Sequence, residues 1–465
     1  MRNVLQIAFA GVLLCISSAA SHADPADDWV HAFMAKTQAP GVALAVIRDR
    51  KVVKAGIYGY ANLEWQQPVA RNSLFWLDSL TKLFTAVGVM QLAEQGKVSL
   101  DDPITKYLTD APSAWRAVTI RHLLAHMSGI KDDYWQLYRG SPLVNYDEKD
   151  IYAYAISQPL VFKPGERYAY NNEGYYLLGL IIAKATGEPY TKWITEHVLR
   201  PAGMKTARMY NPWDVVPNTV SSYVLKNGRV VHNRDDILSD RGEAIAGWGL
   251  YASLDDMIAF DAALREGKLI SKKSLDAMWS NAKLNSGYPS RSGIGFSEVI
   301  YPRGHRIAFK GGQAGVSYGA FPDDDISVIL LTNMKDAGDY GDTIASFYAP
   351  KIQPLAALHP RPDPDPARTA RLRQAMHDIA SGGPSPLLTP TMSAATPPNE
   401  REQMKQLLAS MSGLDFLGCD SASPKDPYGA ALYCYYRTKI PPGFLDLEFG
   451  LAPDGRVAVG GGQLE

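Results

Sequence analysis

The sequence predicts an α+β fold in which one sheet draws its strands from both ends of a long helical region. The 465 residues are enough for two or three domains. Residues 41–47 and 52–58 are rich in β-branched and apolar residues, and the charged stretch between them indicates a hairpin. Residues 101–261 show mostly helical and loop patterns. Strand patterns return at residues 293–300, 306–310, 316–321 and 326–332. Strands and helices that are segregated in this way are typical of the α+β class.

The remaining elements of this region are predicted from apolar spacing and turn residues. Asn227-Gly228 is a turn signal between two short β-rich stretches. In chain order, the expected elements are a helix at 27–36, helices at 121–126 and 175–186, a hairpin at 224–231 and a helix at 343–349.

Composition changes near residue 359. Residues 359–366 contain four prolines in eight positions and predict a semi-rigid linker. Helical patterns follow at 367–380 and 402–411. Short strand patterns lie at residues 416–418, 430–438, 444–449 and 456–459. We therefore expect a main domain over residues 24–358, the linker, and a small α+β domain over residues 367–465.

Residues 1–23 predict a signal peptide. Arg2 precedes an apolar run over residues 4–16, and Ser21-His22-Ala23 supplies a small-residue cleavage pattern. The run is too short to span a bilayer comfortably. We expect cleavage after Ala23, export to the periplasm or the medium, and no stable membrane anchor.

Charge and cysteine content narrow the possible partners. The 47 basic and 48 acidic residues nearly balance, so we expect no binding to nucleic acid, which needs an excess of positive charge. Two cysteines follow the signal peptide, Cys419 and Cys434. In an oxidising compartment we expect them to form a disulfide. Two free buried thiols are the alternative.

The strongest functional signal is Ser79 with Lys82, at the start of a helix predicted to be buried. From Leu80, apolar residues recur at helical spacing, so Ser79 and Lys82 share one face. Asp78 and Ser79 stand where an N-cap is expected. A serine hydroxyl is a poor nucleophile until a base takes its proton. A buried lysine in a cation-rich site can lose its own proton and act as that base.

Two further segments carry groups that such a site needs. Tyr170 and Asn172 lie two apart in a predicted loop, where a phenol can shuttle protons and an amide can bind a lysine and a substrate carbonyl. Lys310, Gly312 and Gln313 lie between two strand patterns. There a lysine supplies positive charge, and small residues let a substrate lie along the strand edge. The backbone N–H of Gln313 and that of the nucleophile are candidate oxyanion-hole donors.

These motifs, in this order, resemble the serine β-lactamase and penicillin-binding-protein superfamily. The similarity is greatest to its class C-like branch, which also contains esterases and D-amino-acid peptidases. The motifs are Ser79-Leu80-Thr81-Lys82, Tyr170-Asn171-Asn172 and Lys310-Gly311-Gly312. Residues 92–103, 123–129 and 247–250 add to a resemblance that covers roughly residues 27–350.

The resemblance implies an antiparallel sheet flanked by helices, with a mostly helical insertion, and a serine acyl-enzyme mechanism without a cofactor. The implied roles are nucleophile for Ser79, proton transfer for Lys82 and Tyr170, and site electrostatics for Asn172 and Lys310. His126 is implied only as a structural residue. His122 and His126 are four apart, but we expect no metal pair there.

One departure and two alternatives stay open. Gly311 replaces a hydroxyl residue that helps the peptidase and β-lactamase branches to hold a substrate carboxylate. The absence of this hydroxyl argues against strong β-lactam hydrolysis. Esters, D-peptides and β-lactams all present a carbonyl to the same serine, so the substrate stays open among them. One alternative is a sensor of the same fold that binds β-lactams or peptidoglycan without turnover. The other is an α/β-hydrolase nucleophile at Ser317, within a Gly-x-Ser-x-Gly pentapeptide at residues 315–319, although a strand pattern rather than a helix follows it.

Overall fold

The computed structural model describes residues 24–133, 148–211, 213–233, 242–300, 302–338, 341–383, 385–395, 398–423, 426–441 and 443–464. The predicted signal peptide lies outside these residues. In the described part of the chain, no helix has both the length and the apolar character needed to cross a bilayer.

The helices are α1 (Pro25–Thr37), α2 (Thr81–Glu94), α3 (Ile120–Leu124), α4 (Glu148–Ser157), α5 (Asn172–Thr186), α6 (Tyr190–Ile194), α7 (Arg200–Ala202), α8 (Leu254–Arg265), α9 (Lys272–Met278), α10 (Asp342–Tyr348), α11 (Pro366–Ser381), α12 (Pro390–Ala395) and α13 (Pro398–Ser410). The strands are β1 (Gly41–Arg48), β2 (Lys51–Asn62), β3 (Gln67–Pro68), β4 (Phe75–Trp76), β5 (Arg208–Met209), β6 (Tyr223–Lys226), β7 (Arg229–His232), β8 (Leu250–Ala252), β9 (Glu298–Ile300), β10 (Ile307–Gly312), β11 (Val316–Phe321), β12 (Ile326–Thr332), β13 (Asp415–Ser421), β14 (Leu432–Ile440), β15 (Gly443–Leu451) and β16 (Val457–Leu464).

Seven strands form one antiparallel sheet in the order β3-β2-β1-β12-β11-β10-β9. On one side β1 pairs with β2, the other strand of the predicted hairpin. On its other side β1 pairs with β12, where Val42 lies opposite Thr332. The sheet therefore draws on both ends of the helical region, and the predicted α+β class with an antiparallel sheet is confirmed.

Helices cover both faces of this sheet. Ala43 and Ala45 of β1 belong to the core that also contains α2. Val42 and Leu44 belong to a second core, shared with α1 and α10. Successive strand residues point to opposite faces, so a strand packed on both faces must be apolar throughout. Truncating such a residue, as in Leu44→Ala, should lower the free energy of unfolding by about 2–5 kcal/mol.

The C-terminal part forms a second antiparallel sheet, in the order β13-β14-β15-β16. Its core includes Met376 of α11 and Phe449 of β15. Cys419 and Cys434 lie directly opposite each other on β13 and β14 and form a disulfide. The short strands and helices predicted beyond residue 366 are thus present.

Polar contacts join this C-terminal sheet to the segments on either side of β9. Arg303 pairs with Asp420 at 2.8 Å. The Tyr288 hydroxyl donates to the carbonyl oxygen of Ala458 at 3.1 Å. Residues 358–365, in the Pro-rich stretch, contain neither helix nor strand.

Two predicted elements are shorter than expected. Residues 293–300 are predicted as one strand, but only Glu298–Ile300 forms one. Gly295 has a φ of 80°, and a Cβ there would lie 2.5 Å from the Cβ of Ala86, so the chain turns tightly against α2 before β9 begins. The helix predicted at 121–126 ends at Leu124. His126 just beyond it has a φ of 57°, which breaks the helix and turns the imidazole inwards.

Candidate active site

Ser79 lies in a tight turn that leads into α2. Residues Asp78–Leu80 form a 3₁₀ turn, and no side chain caps either this turn or α2, so the predicted N-cap at Asp78 or Ser79 is wrong. Asp78 instead has a φ of 44° and accepts a hydrogen bond from the backbone N–H of Ala314 at 3.2 Å. The turn after β10 thus lies against the start of α2 and supplies a hydrogen-bond donor to Asp78. The sequence near Asp78 does not reveal this partner.

Lys82 is fully buried one helical turn from Ser79. Its Nζ lies 3.1 Å from Ser79 Oγ, 2.9 Å from Asn172 Oδ1 and 2.8 Å from the carbonyl oxygen of Gly247. Burial lowers the pKa of Lys82 to about 8, although two nearby carboxylates raise it. A lysine with this pKa exchanges its proton near neutral pH, as a general base for a serine must.

Tyr170 places its hydroxyl beside the nucleophile. The hydroxyl forms a hydrogen bond with Ser79 and lies 3.4 Å from Lys310 Nζ. The residue as a whole is 36 % exposed, but its hydroxyl end is enclosed, and this enclosure raises the pKa of Tyr170 above its usual value. Tyr170 therefore keeps its proton at neutral pH, so Lys82, rather than Tyr170, is suited to accept the proton of Ser79.

His126 supports the Tyr170 ring. The two rings stack with their centroids 4.4 Å apart. The imidazole Nδ1 accepts a hydrogen bond from the backbone N–H of Asn171 at 3.1 Å. Burial, with Lys310 and Lys82 nearby, holds the pKa of His126 well below its usual range. The neutral ring thus fixes the loop that carries Tyr170, which agrees with the structural role that the resemblance implies.

Lys310 is also fully buried and lies on β10. Its Nζ donates to Ser297 Oγ at 2.8 Å. Burial and the proximity of Lys82 hold the pKa of Lys310 well below its usual range. Sequence reasoning assigned this lysine a positive charge, and the lowered pKa means that its surroundings oppose that charge.

Gly312 lets the end of β10 approach the nucleophile turn. A Cβ at this position would lie 2.6 Å from the carbonyl oxygen of Leu77 and 3.1 Å from the backbone nitrogen of Ser79. Both contacts are with backbone, which cannot swing away, so only glycine fits there.

The backbone N–H of Gln313 points to the carboxylate of Asp78, as does that of Ala314. Burial nevertheless raises the pKa of Asp78 above its usual value. The predicted oxyanion-hole donor at Gln313 is therefore engaged by an acidic side chain in this structure.

The structure brings the predicted site residues from three distant segments to one place. Sequence reasoning missed Gly247, Ser297 and Asp132. Residues 247–250 contribute to the family resemblance, so the position of Gly247 near the site could have been predicted from the sequence. The hydrogen bond between its carbonyl oxygen and Lys82 could not. Ser297 and Asp132 have no such signal, because only the folded chain brings them to Lys310 and Asn172.

A family model described as Beta-lactamase matches residues 26–349, well over half of the sequence. The chain belongs to the beta-lactamase family. Penicillin-binding protein 4* of Bacillus subtilis (strain 168) is 33 % identical over 311 residues, which are 62 % of this chain and 66 % of that protein. Putative penicillin-binding protein PbpX of the same strain is 31 % identical over 255 residues, 54 % of this chain and 60 % of that one. The chain thus spans less than two thirds of the length of these relatives.

Solved structures of penicillin-binding-protein-like hydrolases have the same fold as this beta-lactamase family member. The octameric penicillin-binding protein homologue from Pyrococcus abyssi has a TM-score of 0.59 at 23 % identity, over 92 % of this chain and 96 % of that chain. EstCE1, a hydrolase with promiscuous acyltransferase activity, has a TM-score of 0.59 at 21 % identity, over 70 % of this chain and 97 % of that chain. The first comparison extends over the C-terminal sheet as well.

In this beta-lactamase family member Ser317 lacks the surroundings of an α/β-hydrolase nucleophile. The residue is 2 % exposed and lies inside β11, opposite Gly311 of β10. The next element is the strand β12. A nucleophile elbow requires an exposed serine on a strand–turn–helix corner, so this alternative has no geometric support.

Proposed function

We propose that this chain is an exported serine hydrolase that acts on an ester, amide or peptide carbonyl through an acyl-enzyme on Ser79. The observation that carries the proposal is the 3.1 Å separation of Lys82 Nζ from Ser79 Oγ at a lysine whose pKa is lowered to about 8. Family membership supports hydrolase chemistry of this class, and the site geometry supports the assignment of roles.

In acylation, Lys82 Nζ takes the proton of Ser79 as Oγ attacks the carbonyl carbon. The ammonium that forms is held by the amide oxygen of Asn172 and the carbonyl oxygen of Gly247. When the tetrahedral intermediate collapses, the leaving group receives this proton through the Tyr170 hydroxyl, which hydrogen-bonds to Ser79. A water molecule then adds to the acyl-enzyme and gives a proton to the same relay, so that the acid is released and Ser79 is restored.

Gly311 supports a neutral ester over a carboxylate-bearing substrate. It carries no hydroxyl, and a Cβ there would lie 3.0 Å from the ring of Phe309. Burial and the proximity of Lys82 also hold the pKa of Lys310 below its usual range, which works against a strong positive charge for a substrate carboxylate. A substrate panel tests this point: faster turnover of a carboxylate-bearing β-lactam than of a small neutral ester would contradict it.

We also propose a division of labour along the chain. Residues 24–358 carry every proposed catalytic group, residues 359–366 act as a linker, and residues 367–465 shape access or mediate association. Arg303→Ala, which breaks the contact with Asp420, should therefore leave hydrolysis of a small ester unchanged. A large loss of kcat would show that the C-terminal part contributes to the chemistry.

Export is proposed from the signal-peptide pattern of residues 1–23, and the Cys419–Cys434 disulfide suits an oxidising compartment. Cell fractionation, with mass spectrometry of the N-terminus, tests it. A protein that keeps residue 1 and stays with the cytoplasmic fraction would contradict export.

The decisive experiment compares Ser79→Ala with the matched control Ser317→Ala. We expect Ser79→Ala to abolish ester hydrolysis and acyl labelling, and Ser317→Ala to retain both. Mass spectrometry of tryptic peptides locates the adduct. The reverse result would overturn the proposal. An adduct on Ser79 that persists without turnover of any substrate would favour the sensor.

A further inference from the structure

Asp132 binds the end of the Asn172 amide that does not face the base. Asp132 Oδ2 accepts a hydrogen bond from Asn172 Nδ2 at 3.1 Å. Asp132 Oδ1 accepts from the backbone N–H of Asn172 at 2.9 Å and from that of Glu173 at 3.2 Å. The carboxylate therefore caps the first turn of α5 and holds the Asn172 side chain at the same time.

These contacts fix which way the Asn172 amide points. An amide has an accepting oxygen at one end and a donating nitrogen at the other, whereas a carboxylate only accepts. The nitrogen must therefore face Asp132, so Oδ1 faces Lys82 Nζ, at 2.9 Å. The opposite orientation would set two donors against each other at Lys82 and two acceptors at Asp132.

We propose that Asp132 is a positioning residue for the general base: it holds Asn172 so that the amide oxygen binds Lys82, and its negative charge helps Lys82 to keep the proton taken from Ser79. Asp132 touches neither Ser79 nor the substrate in this scheme and acts through Asn172. The inference deepens the proposed function and rests on it.

The charges around Lys82 give this role a measurable consequence. Among the residues that the structure describes, the titratable groups that face Lys82 or contact it are Asp78, Asp132, Lys310, Tyr170, Tyr175 and His126. The carboxylates of Asp78 and Asp132 raise the pKa of Lys82, against the larger effect of burial. Burial raises the pKa of Asp132 itself, while the N–H groups that it accepts from and Lys82 lower it. Glu173, beside Asp132, is fully buried, and burial holds the pKa of Glu173 well above its usual range, which disfavours a second negative charge there.

The test is Asp132→Asn in the full chain, assayed with a small activated ester. The new amide can still accept from the α5 N–H groups, but its nitrogen then faces Asn172 Nδ2. Asn172 must turn over, and Lys82 then meets a donor in place of its acceptor. We expect kcat to fall roughly 10- to 100-fold with little change in KM, the scale of one lost charge-assisted hydrogen bond. The acid limb of the kcat/KM profile is the range in which activity falls as pH drops and Lys82 becomes protonated. It should move to lower pH, because Lys82 loses both an acceptor and a nearby negative charge and its pKa therefore falls.

The double variant Asp132→Asn with Asn172→Asp supplies the rescue. Its carboxylate at position 172 accepts from Lys82 on one side and from the amide at position 132 on the other. We expect kcat to recover by about tenfold over Asp132→Asn, by the same hydrogen-bond scale. The acid limb should lie above that of the unaltered enzyme, because the charge now contacts Lys82 directly. From the lowest pH to the highest, the acid limbs should lie in the order Asp132→Asn, unaltered enzyme, double variant.

Asp133→Asn is the matched control. Asp133 is the next residue and is buried, but it pairs with Lys131 at 2.7 Å. The Asn172 hydrogen bonds described above are with Asp132 and Lys82, not with Asp133. Its acid limb should not move. If Asp132→Asn does not fold, Asp132→Ser keeps one acceptor for α5 and should shift the limb in the same direction. Equal profiles for the Asp132 and Asp133 variants, or a loss of kcat without any shift of the limb, would overturn the inference. Activity that survives Ser79→Ala would instead overturn the proposed function.

Discussion

The carboxylate of Asp78 accepts a hydrogen bond from the backbone N–H of Ala314 at 3.2 Å, which ties the residue before the nucleophile to the turn after β10. Asp78 also raises the pKa of Lys82. Asp78→Asn keeps an acceptor for Ala314 but loses the charge. We therefore expect an acid limb of kcat/KM at lower pH and a melting temperature close to that of the unaltered protein.

Asp78→Ala is the companion of that variant. It removes the acceptor as well as the charge, so a buried N–H loses its partner at a cost of about 1–3 kcal/mol. Thermal unfolding should show a lower melting temperature than for Asp78→Asn. Equal melting temperatures would show that the contact with Ala314 adds nothing to stability.

The pH dependence of the unaltered enzyme follows from Lys82. Only its neutral form can take the proton of Ser79, and its pKa in the folded protein is about 8. kcat/KM should therefore fall as pH drops below about 8, roughly tenfold per unit, and level off above it. Lys82→Ala should lose on the order of 10²-fold or more in kcat. A flat profile between pH 6 and about 8 would exclude Lys82 as the titrating base.

His126→Phe separates ring stacking from hydrogen bonding. Phenylalanine keeps a flat ring against Tyr170 but cannot accept from the N–H of Asn171. That buried donor then lacks a partner, and the free energy of unfolding should fall by about 1–3 kcal/mol. Because the imidazole is already neutral in the folded protein, the pH profile should keep its shape. A shifted limb would mean that His126 itself titrates in the working range.

Glu448 makes the C-terminal sheet sensitive to pH. Burial raises the pKa of Glu448 from 4.5 to about 8, with a smaller opposing effect of Arg291. The folded state therefore holds a proton that the unfolded chain releases, and stability should decline as pH rises from about 4.5 to about 8. At about pH 4.5, Glu448→Gln should have the same melting temperature as the unaltered protein. At about pH 8, its melting temperature should be the higher of the two. A difference in melting temperature that does not depend on pH would refute this assignment.

The disulfide should stabilise the C-terminal sheet. Cys419 and Cys434 are 15 positions apart, and closing a loop of that size contributes roughly 3 kcal/mol. Replacing both cysteines by serine should lower the free energy of unfolding by about that amount, as measured by denaturant titration. Thiol titration of the denatured, unreduced protein should find no reactive thiol. Two thiols would show that the bond does not form.

The long, buried strands were predictable from the sequence. β11 and β12 begin and end at the predicted residues, because both are rich in apolar and aromatic residues and are bounded by turn residues. These are Gly315 before β11, the Pro-Asp-Asp-Asp stretch at 322–325 between the strands, and Asn333 after β12. The sheet of β4, β8 and β5 was missed, since strands of two or three residues are too short to show alternation. Their positions depend on tertiary contacts.

The same limit applies to the site. Spacing placed Ser79 and Lys82 on one face of a helix, and their 3.1 Å separation follows from that spacing. The hydrogen-bond partner of Asp78 could not be predicted, because Ala314 is far away in the chain. The Asp78 carboxylate binds the N–H of Ala314 and does not cap the helix that follows it. Asp132 was missed for a similar reason: its effect on Lys82 passes through Asn172, and no residue-type pattern records such a chain of contacts.

β1 pairs with β12, and Val42 lies opposite Thr332. This pairing of strands from distant parts of the chain should delay the appearance of activity during folding. Lys310 and Gly312 are carried by β10, which reaches the nucleophile turn only when the strands from the far end of this region join those from its start. Contacts between such distant residues form slowly, because a long loop must close first. We therefore expect a partly folded chain that contains the α2 helix but lacks this strand pairing to be unable to hydrolyse a substrate. In refolding experiments, ester hydrolysis should therefore appear with the slowest change in tryptophan fluorescence and not before it.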